Sequence, residues 1–499
     1  MKSETRPNII LILTDQQRFD TIGAWGNDHM ITPHQDRLAR EGVSFRQAYC
    51  PGATCVASRA AIFTGMYPHT TGAYSFDNWA HHRNWVEDLA DGGYFCASIG
   101  KMHFSPRDVP GGFHDRVIVE NPTNKNLANG GADDDWGKFL SHHGIERPND
   151  RNKTDPAWLQ KYQGVVWHHE ERFHSDVFIG DSATSWINSH QGDKPVFLQV
   201  GFTGPHEPWD PLQRHLDMYQ DRDVPPRVCR EGELAEKPPQ HLAHQQFHAN
   251  TQHESVIDIA SADEDDIARM RRHYYAKITT VDEQLGRVLR ALEEKGWLDN
   301  SLLLFCSDHG ELLGDHKLAY KWLMYDPIVH VPLIARHPGS VGSPSEVTDL
   351  VSLMDLGPTI LQWAGLQTPS RLEGRSLLPY LRGEEIAPRE FVCCEDNYQL
   401  MFRTPRHKMV YYIGQEEGEL YDLGADPHEL ENLWDDARLA SVKQDLLTRV
   451  LAWFTASAYW NGGYKRNAGP QYGLRWPADG DFGLHGGGGN TKARPLDYL

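Results

Sequence analysis

Asn8-Ile9-Ile10-Leu11-Ile12-Leu13-Thr14-Asp15 is an apolar run that ends in a carboxylate. The five residues after Asn8 are all apolar and mostly β-branched, which predicts a strand buried on both faces of a parallel sheet. Asp15 and Gln16 follow at the carboxyl end of that strand. Open parallel sheets bind their ligands at this edge, so the segment predicts both an α/β architecture and the position of a functional site.

The same pattern continues along the chain. Four further apolar segments, 93–100, 195–202, 302–306 and 331–335, predict buried strands. Helical spacing of apolar residues predicts helices over 178–187 and 264–295, and Gly296 ends the second. Alternating strands and helices predict a large, mostly parallel sheet covered by helices on both faces. Residues 107–175 and 210–260 lack clear periodicity, so we interpret the first as an insertion and expect the second to be irregular.

The pattern changes near residue 385. Segments 391–394, 400–403 and 407–413 predict antiparallel hairpins, and a helix over 439–456 would pack on them. We therefore expect an N-terminal α/β domain over 1–385 that carries the functional site. A smaller C-terminal domain over 386–460 would combine an antiparallel sheet with a helix, followed by a glycine-rich and aromatic tail over 461–499.

The composition excludes several classes of function. The chain has 49 basic and 69 acidic residues and a formal net charge of −20, so nucleic acid is not an expected partner. Seven cysteines, an odd number without a Cys-x-x-Cys pair, predict neither a disulfide framework nor a zinc site. No run of eighteen apolar residues and no signal sequence is evident, so we expect a soluble cytoplasmic protein without a membrane span.

Cys55-Val56-Ala57-Ser58-Arg59-Ala60-Ala61-Ile62-Phe63-Thr64-Gly65 places a cysteine where a helix is predicted to begin. Arg59 follows one turn later on the same face of the helix. The N–H groups of a helix start and a guanidinium both attract anions, so the pair predicts a nucleophile beside an oxyanion site. The alternative is a small buried cysteine on a packed helix, which is the commoner role of an isolated cysteine.

Several predicted strands end in side chains that can carry chemistry. These are Asp15, Lys101 with His103, His206, and Asp308 with His309. One polar residue at a strand end is usually a turn residue or a helix cap. Four such ends at one edge of a sheet predict an active site. Asp15, Gln16, Asp308 and His309 offer mainly oxygen ligands, which suit a hard divalent cation such as Ca²⁺.

Residues 55–59, followed by Thr64-Gly65, resemble the modification motif Cys-x-Pro/Ala-x-Arg of the type I, formylglycine-dependent sulfatases. Segments 93–103 and 307–321 resemble two further sulfatase patterns, and segment 419–433 resembles the C-terminal hallmark of that family. Ala57 replaces the commoner proline, and Gln16 replaces the commoner second aspartate. The resemblance implies an alkaline-phosphatase-like fold with a small C-terminal antiparallel domain.

The resemblance also implies the cofactors. Cys55 would be oxidised to formylglycine (3-oxoalanine), whose hydrate is the nucleophile, by a formylglycine-generating or anaerobic sulfatase-maturing enzyme. The metal would be Ca²⁺, with Mn²⁺ or Mg²⁺ as alternatives. Its implied ligands are Asp15, Gln16, Asp308, His309 and the modified Cys55.

The remaining implied roles concern the sulfate ester. Arg59 would orient the aldehyde hydrate, and Asp308 would act as the base. Lys101 and Lys321 would bind sulfate oxygens. His206 would bind the substrate and protonate the leaving alkoxide, and His103 would help to release sulfate. Asn78 would face the sulfate, as the resembling asparagine does in choline-sulfatase relatives.

We therefore expect a sulfuric ester hydrolase. A sulfated saccharide is the first candidate substrate, and aryl and alkyl sulfates are the next candidates. The nearest alternative is a phosphonate monoester or phosphodiester hydrolase, but those relatives typically lack the pair formed by Lys101 and His103. A non-catalytic protein that binds sulfated ligands and has lost the modification is the alternative from another class. A homodimer or tetramer is left open by the sequence.

Overall fold

The computed structural model describes residues 6–74, 78–104, 106–120, 134–147, 164–250, 258–340, 342–343 and 345–460. The expectations for the tail over 461–499 lie outside this part of the chain, and so do residues 121–133 and 148–163 of the insertion predicted over 107–175.

Eight described strands form the central sheet. They are β1 (Asn8–Asp15), β2 (Val43–Tyr49), β3 (Phe95–Gly100), β4 (Asp115–Ile118), β5 (Val196–Pro205), β6 (Ser301–Ser307), β7 (Leu333–Arg336) and β8 (Ser345–Ser352). Their order across the sheet is β4-β3-β5-β1-β6-β7-β2-β8. Among these strands, only β7 runs antiparallel to its neighbours, β6 and β2. The prediction of a large, mostly parallel sheet is confirmed.

Helices cover both faces of this sheet. The described helices are α1 (Pro33–Glu41), α2 (Cys55–Thr64), α3 (Pro68–Thr71), α4 (Trp85–Asp91), α5 (Asp135–His142), α6 (Ser175–Ser189), α7 (Gln213–Asp217), α8 (Pro239–Asn250), α9 (Glu264–Glu294), α10 (Asp326–Val329), α11 (Leu356–Trp363), α12 (Leu378–Leu381) and α13 (Ala440–Trp460). Alternate residues of β1 enter two separate cores. Ile9 and Leu11 pack with α2 and α4, and Ile10 and Ile12 pack with α6 and α9.

A second sheet follows the first in the chain. It contains β9 (Val392–Asp396), β10 (Gln399–Arg403), β11 (His407–Tyr412) and β12 (Gly418–Asp422), all antiparallel, in the order β12-β11-β10-β9. One face, with Cys394 and Met401, joins the core beneath α2, and the other, with Phe402, packs against Trp453 of α13. The small antiparallel sheet is confirmed, and the boundary near residue 385 stays a prediction.

Several expectations differ from the structure, since β4 and β8 were not predicted and α7 lies in the stretch that was expected to be irregular. The sequence signalled no strand at β2, because Arg46 and Gln47 interrupt its apolar pattern. The prediction that 210–260 is irregular is wrong for the stretch that forms α8. The large apolar residues Leu242 and Phe247 of α8 are exposed, so tertiary contacts rather than an apolar stripe hold this helix. Within the described residues, no helix is long and apolar enough to cross a bilayer.

Candidate active site

The carboxyl ends of β1 and β6 bring three predicted ligands together. Thr14 of β1 is in register with Ser307 of β6, so the next residues, Asp15 and Asp308, lie side by side. His309 follows directly. All three side chains are fully buried, where unpaired charges are unfavourable unless they meet partners or a metal ion.

The geometry of these groups fits a cation. His309 Nε2 lies 3.9 Å from Asp15 Oδ1 and 3.8 Å from Asp308 Oδ1. Asp15 Oδ1 and His309 Nε2 are buried and make no hydrogen bond to any described residue. His309 Nδ1 lies 2.9 Å from the Gly310 carbonyl oxygen, which fixes the proton on Nδ1 and leaves the Nε2 lone pair for a metal. Two carboxylates and a neutral imidazole suit a divalent cation.

Gln16 connects this cluster to Lys321, which was predicted to bind sulfate oxygens. Its amide nitrogen donates to Glu207 Oε2 at 2.8 Å and to Glu311 Oε2 at 2.5 Å, and its amide oxygen accepts from Lys321 Nζ at 2.7 Å. Its backbone N–H donates to Asp308 Oδ1 at 3.1 Å. The side chain is therefore oriented by three charged groups, and metal ligation by Gln16 stays a prediction.

The predicted helix at Cys55 is present. Cys55 is the first residue of α2, and every residue of α2 is buried. The preceding loop packs tightly on the first turn, because a Cβ at Gly52 would lie 2.6 Å from the Ser58 nitrogen. Ser58 Oγ donates to the Asp308 carbonyl at 2.6 Å. These contacts hold the cysteine at the edge of the sheet where Asp15, Asp308 and His309 lie. These three residues are called the metal cluster below, because they could hold a metal ion.

Arg59 binds the two aspartates directly. Nε donates to Asp308 Oδ2 at 2.7 Å, Nη2 donates to Asp15 Oδ2 at 3.2 Å, and Nη1 donates to the Lys101 carbonyl at 2.8 Å. Burial alone would lower the pKa of Arg59, but Asp308 and Asp15 raise it above its ordinary value. The guanidinium therefore stays charged and leaves the other carboxylate oxygens directed at the metal cluster.

Lys101 is buried beside the metal cluster. Its Nζ lies 2.5 Å from Asp15 Oδ2. Burial would lower the pKa of Lys101, but the negative groups around it, of which the Asp15 carboxylate contributes most, together raise it. Likewise, burial would raise the pKa of Asp15, but Lys101, His206 and Arg59 hold it well below its usual range. An ammonium that is kept charged in this way can also receive a substrate anion.

The turn after β3 places Lys101 and His103. Gly100 has φ +106°, and a Cβ there would lie 2.0 Å from the Gly201 carbonyl oxygen, so only glycine fits. The backbone N–H of His103 donates to Glu120 Oε1 at 3.0 Å. Burial and then the charge of Lys101 lower the pKa of His103 to about 4. His103 is therefore neutral near pH 7 and can accept a proton.

His206 and Lys321 meet in the same site. Both are buried, and Lys321 Nζ lies 3.0 Å from His206 Nε2. His206 Nδ1 lies 2.9 Å from the Glu207 carbonyl oxygen. Nδ1 therefore carries a proton and donates it, and Nε2 faces Lys321. Lys321 was predicted to bind sulfate oxygens and His206 to protonate the leaving alkoxide, and the two residues are in contact in the structure.

Asn78 is the predicted residue with the least structural support. It is exposed, and its Oδ1 accepts a hydrogen bond from the Ala80 nitrogen at 2.9 Å. The next residue, Trp79, is buried, and its indole N–H donates to the His103 carbonyl at 3.1 Å. The loop of Asn78 therefore adjoins His103, and contact of Asn78 with sulfate stays a prediction.

A buried ionic cluster behind His206 was not predicted. Asp176 Oδ1 accepts from the nitrogens of Thr203 and Gly204, each at 2.9 Å. Lys277 Nζ lies 2.6 Å from Asp210 Oδ1 and 3.2 Å from Asp176 Oδ2. The sequence did contain one indication, because Lys277 interrupts the apolar stripe of α9. A lysine on the buried side of a helix needs a buried partner of opposite charge.

Glu207 and Glu311 were also missed as functional residues. Each lies close to a residue that the sequence did single out, since Glu207 follows His206, and Glu311 lies two residues beyond His309 within segment 307–321. A carboxylate next to a motif is usually a surface residue. Their burial and their shared contact with Gln16 become evident only in the folded chain.

Comparisons with known proteins agree with this geometry. The family model Sulfatase matches residues 7–366, and the model N-sulphoglucosamine sulphohydrolase, C-terminal, matches residues 314–455. An arylsulfatase of Clostridium perfringens (strain 13 / Type A) is 30% identical over 448 residues, which cover 86% of this chain and 90% of the relative.

Two further relatives are not named as sulfatases. The multifunctional alkaline phosphatase superfamily protein PehA of Trinickia caryophylli is 29% identical over 494 residues, covering 90% of this chain and 95% of its own. The solved phosphonate monoester hydrolase of Agrobacterium radiobacter is similar with a TM-score of 0.77 at 25% identity, and covers 91% of this chain and 96% of its own.

Proposed function

The chain belongs to the sulfatase family and is a sulfuric ester hydrolase, and we propose that it cleaves sulfate monoesters with a formylglycine hydrate made from Cys55 and a bound divalent cation. Ca²⁺ is our first candidate for the cation, and Mn²⁺ and Mg²⁺ are the alternatives. A formylglycine-generating or anaerobic sulfatase-maturing enzyme would make the modification. We further propose a sulfated saccharide as the substrate, cytoplasmic localisation and a homodimer or tetramer.

One observation carries the proposal. Asp15 Oδ1 and His309 Nε2 converge without hydrogen-bond partners among the described residues, at the edge of the sheet where α2 begins with Cys55. Arg59 ties both aspartates to α2. A purely structural cluster would instead pair these polar atoms with one another or with neighbouring donors. The arrangement is therefore suited to a cation shared with the side chain at position 55.

The residues around the cluster would bind the sulfate group. The bound cation and the hydrate would supply charge neutralisation and a hydroxyl nucleophile. Lys101 and Lys321 would donate to sulfate oxygens, where negative charge concentrates during transfer. Asp308 would accept the proton of the attacking hydroxyl, and His103, neutral near pH 7, would accept a proton during sulfate release.

The leaving group would be protonated by His206. In the structure Lys321 Nζ donates to His206 Nε2, so Nε2 is not available as an acid in this arrangement. A sulfate oxygen that draws the ammonium of Lys321 towards itself would release Nε2, which would then take up a proton from solvent and form the imidazolium acid. The Nδ1 hydrogen bond to the Glu207 carbonyl keeps the ring in one orientation during this exchange. Substrate binding would therefore prepare the acid that completes the reaction.

The second candidate is a phosphonate monoester or phosphodiester hydrolase. The name of the Agrobacterium radiobacter structure, a phosphonate monoester hydrolase, favours it. The buried pair formed by Lys101 and His103 favours sulfate monoesters, because phosphonate monoester and phosphodiester hydrolases of this kind typically lack the pair. Rates of release from 4-nitrophenyl sulfate and from a phosphonate monoester, measured on one matured preparation, distinguish the two. We expect the sulfate ester to be preferred, and a preference for the phosphonate would favour the second candidate.

Mass spectrometry tests the modification. The peptide that contains Cys55 should be roughly 18 Da lighter than the encoded peptide. Cys55→Ala should keep the fold and lose sulfate release, and an intact thiol in fully active protein would contradict the mechanism.

Thermal unfolding during titration with Ca²⁺ after EDTA treatment tests the metal site independently of activity. Stabilisation should be lost in Asp15→Asn, and equal stabilisation of that variant would place the cation elsewhere.

A further inference from the structure

We propose that a cavity formed largely by residues 19–29, in the segment between β1 and α1, binds a neutral saccharide unit. The cavity has a volume of about 470 Å³, which lies within the range of about 300–1,000 Å³ that small-molecule sites occupy. None of the residues that line it belongs to the candidate active site. The chain therefore has a second binding site, which does not depend on the hydrolysis of a sulfate ester.

Phe19 forms an aromatic wall of the cavity and is the last ring of a stack of side chains. The ring of His330 lies 3.9 Å from that of Phe19, and the ring of Tyr49 lies 4.9 Å from that of His330, each with an interplanar angle of 13°. Tyr49 and His330 are buried, and the Arg403 guanidinium lies 4.9 Å from the centroid of the Tyr49 ring. Phe19 itself is half-buried and lines the cavity. The stack therefore holds an aromatic ring rigidly in the cavity wall.

Arg46 and Gln47 of β2 bring hydrogen-bond donors to the same cavity. The Arg46 guanidinium lies 4.7 Å from the centroid of the Trp25 ring, and its one hydrogen bond to a described residue is a long one, from Nη2 to the Trp25 carbonyl at 3.4 Å. Gln47 Oε1 accepts from Arg403 Nη2 at 2.9 Å. This bond orients the amide, whose Nε2 has no acceptor in the part of the chain that the structure describes. Both side chains therefore offer N–H groups to a ligand.

Asp28 and His29 add hydrogen-bond acceptors to the lining of the cavity. His29 Nδ1 lies 2.7 Å from the Asp223 carbonyl oxygen. In the neutral ring Nδ1 therefore carries the proton, and Nε2 can accept a hydrogen bond. Asp28 is exposed, and no described side chain or backbone N–H donates to its carboxylate. A ligand with hydroxyl groups would find acceptors here as well as the donors of β2.

The charges around the cavity favour a neutral ligand. Asp20 is neutralised by Arg18 at 2.7 Å, and Arg46 Nη1 lies 3.6 Å from Glu346 Oε1. An anion would meet the carboxylate of Asp28, and a cation would meet the guanidinium of Arg46. An aromatic wall with donors and acceptors around it suits a ring that has an apolar face and hydroxyl groups at its edge, because each hydroxyl can both donate and accept. An uncharged sugar unit has this chemistry.

Saturation-transfer difference NMR tests the site on the full chain with glucose, galactose, mannose and N-acetylglucosamine, each at about 10 mM. We expect magnetisation transfer to at least one of the four sugars, with a dissociation constant on the order of 1 mM. Phe19→Ala and Arg46→Met should each weaken binding at least about 10-fold, because one removes the aromatic wall and the other removes the charged donor. Arg46 is only half-buried, so its variant gives a result even if Phe19→Ala does not fold.

Two control variants separate this cavity from other places where a sugar could bind. Arg406→Met removes an exposed arginine that pairs with Asp422 on the second sheet, and Lys321→Met changes the candidate active site. Both should bind the sugar as the wild type does. No transfer to any of the four sugars, equal binding by Arg46→Met, or loss of binding in either control would overturn the inference. If the matured enzyme released no sulfate from any ester, the proposed function would fail, and this test of the cavity would be unaffected.

Discussion

Replacing Lys277 by Met should lower the free energy of unfolding by about 3–5 kcal/mol. Lys277 is almost completely buried, and its ammonium lies 2.6 Å from Asp210 and 3.2 Å from Asp176. It also lies 2.8 Å from His174 Nε2. Met fills similar space but leaves two buried carboxylates without their cation, which costs more than the ion pairs contribute.

The same change should impair the acid more than the rest of the site. Asp176 holds the nitrogens of Thr203 and Gly204, and His206 follows two residues later. Without Lys277, the two carboxylates would repel each other and displace this segment. Protonation matters most for a poor leaving group. We therefore expect kcat/KM to fall at least about 10-fold for n-propyl sulfate and only about 2-fold for 4-nitrophenyl sulfate.

Urea unfolding at pH 7 measures the stability, and sulfate release from the two esters measures the effect on the acid. The matched variant is Lys277→Met combined with Asp176→Asn and Asp210→Asn. It removes the uncompensated charges, while the amide oxygen introduced at position 176 can still accept from the backbone. It should recover more than half of the lost stability. A loss under about 1 kcal/mol in Lys277→Met, or equal rate losses on both esters, would refute this reasoning.

Three further predictions follow from single contacts. Gln16→Glu should lower the free energy of unfolding by about 3 kcal/mol, because two hydrogen bonds to Glu207 and Glu311 become contacts between carboxylates. Urea unfolding measures this loss, and the loss should be smaller for Gln16→Met. Burial lowers the pKa of His330 to about 4. Below pH 6.5 the unfolded chain therefore binds a proton that the folded chain does not bind, and this favours unfolding. From pH 7 to pH 5, the free energy of unfolding of the wild type should fall by about 2 kcal/mol relative to that of His330→Phe. Gly100→Ala should give little folded protein in thermal scans, because its Cβ would lie 2.0 Å from a carbonyl oxygen.

The sequence predicted the architecture because the parallel strands are buried on both faces and so carry uninterrupted apolar runs. Ile9 to Leu13 and the run in β6 are of this kind, and both were located. The prediction that their ends meet is confirmed by the register of β1 and β6, which brings Asp15 next to Asp308. The antiparallel direction of β7 was not visible, because a buried strand has the same pattern in either direction.

The contacts of the site were less predictable than its members. Arg59 was expected to orient the hydrate, and the structure shows its guanidinium bound to Asp15 and Asp308. Gln16 and Glu311 are nearly 300 residues apart, and nothing local indicates that they touch. Motif spacing predicts residues that lie on one strand or one helix turn, whereas partners from distant segments depend on the packing of the whole fold.

The amide at position 16 has a consequence for the charge of the whole site. Lys101, Lys321 and Arg59 surround the metal cluster, and Gln16 is neutral where the family commonly has an aspartate. Fewer carboxylates reduce the affinity for a cation, but they leave more positive charge to attract a sulfate ester. The amide also cannot be exchanged simply for a carboxylate, because its N–H groups meet two glutamates. The two glutamates therefore fix the amide in place, and in the proposed mechanism they would set through it the balance between metal binding and anion binding.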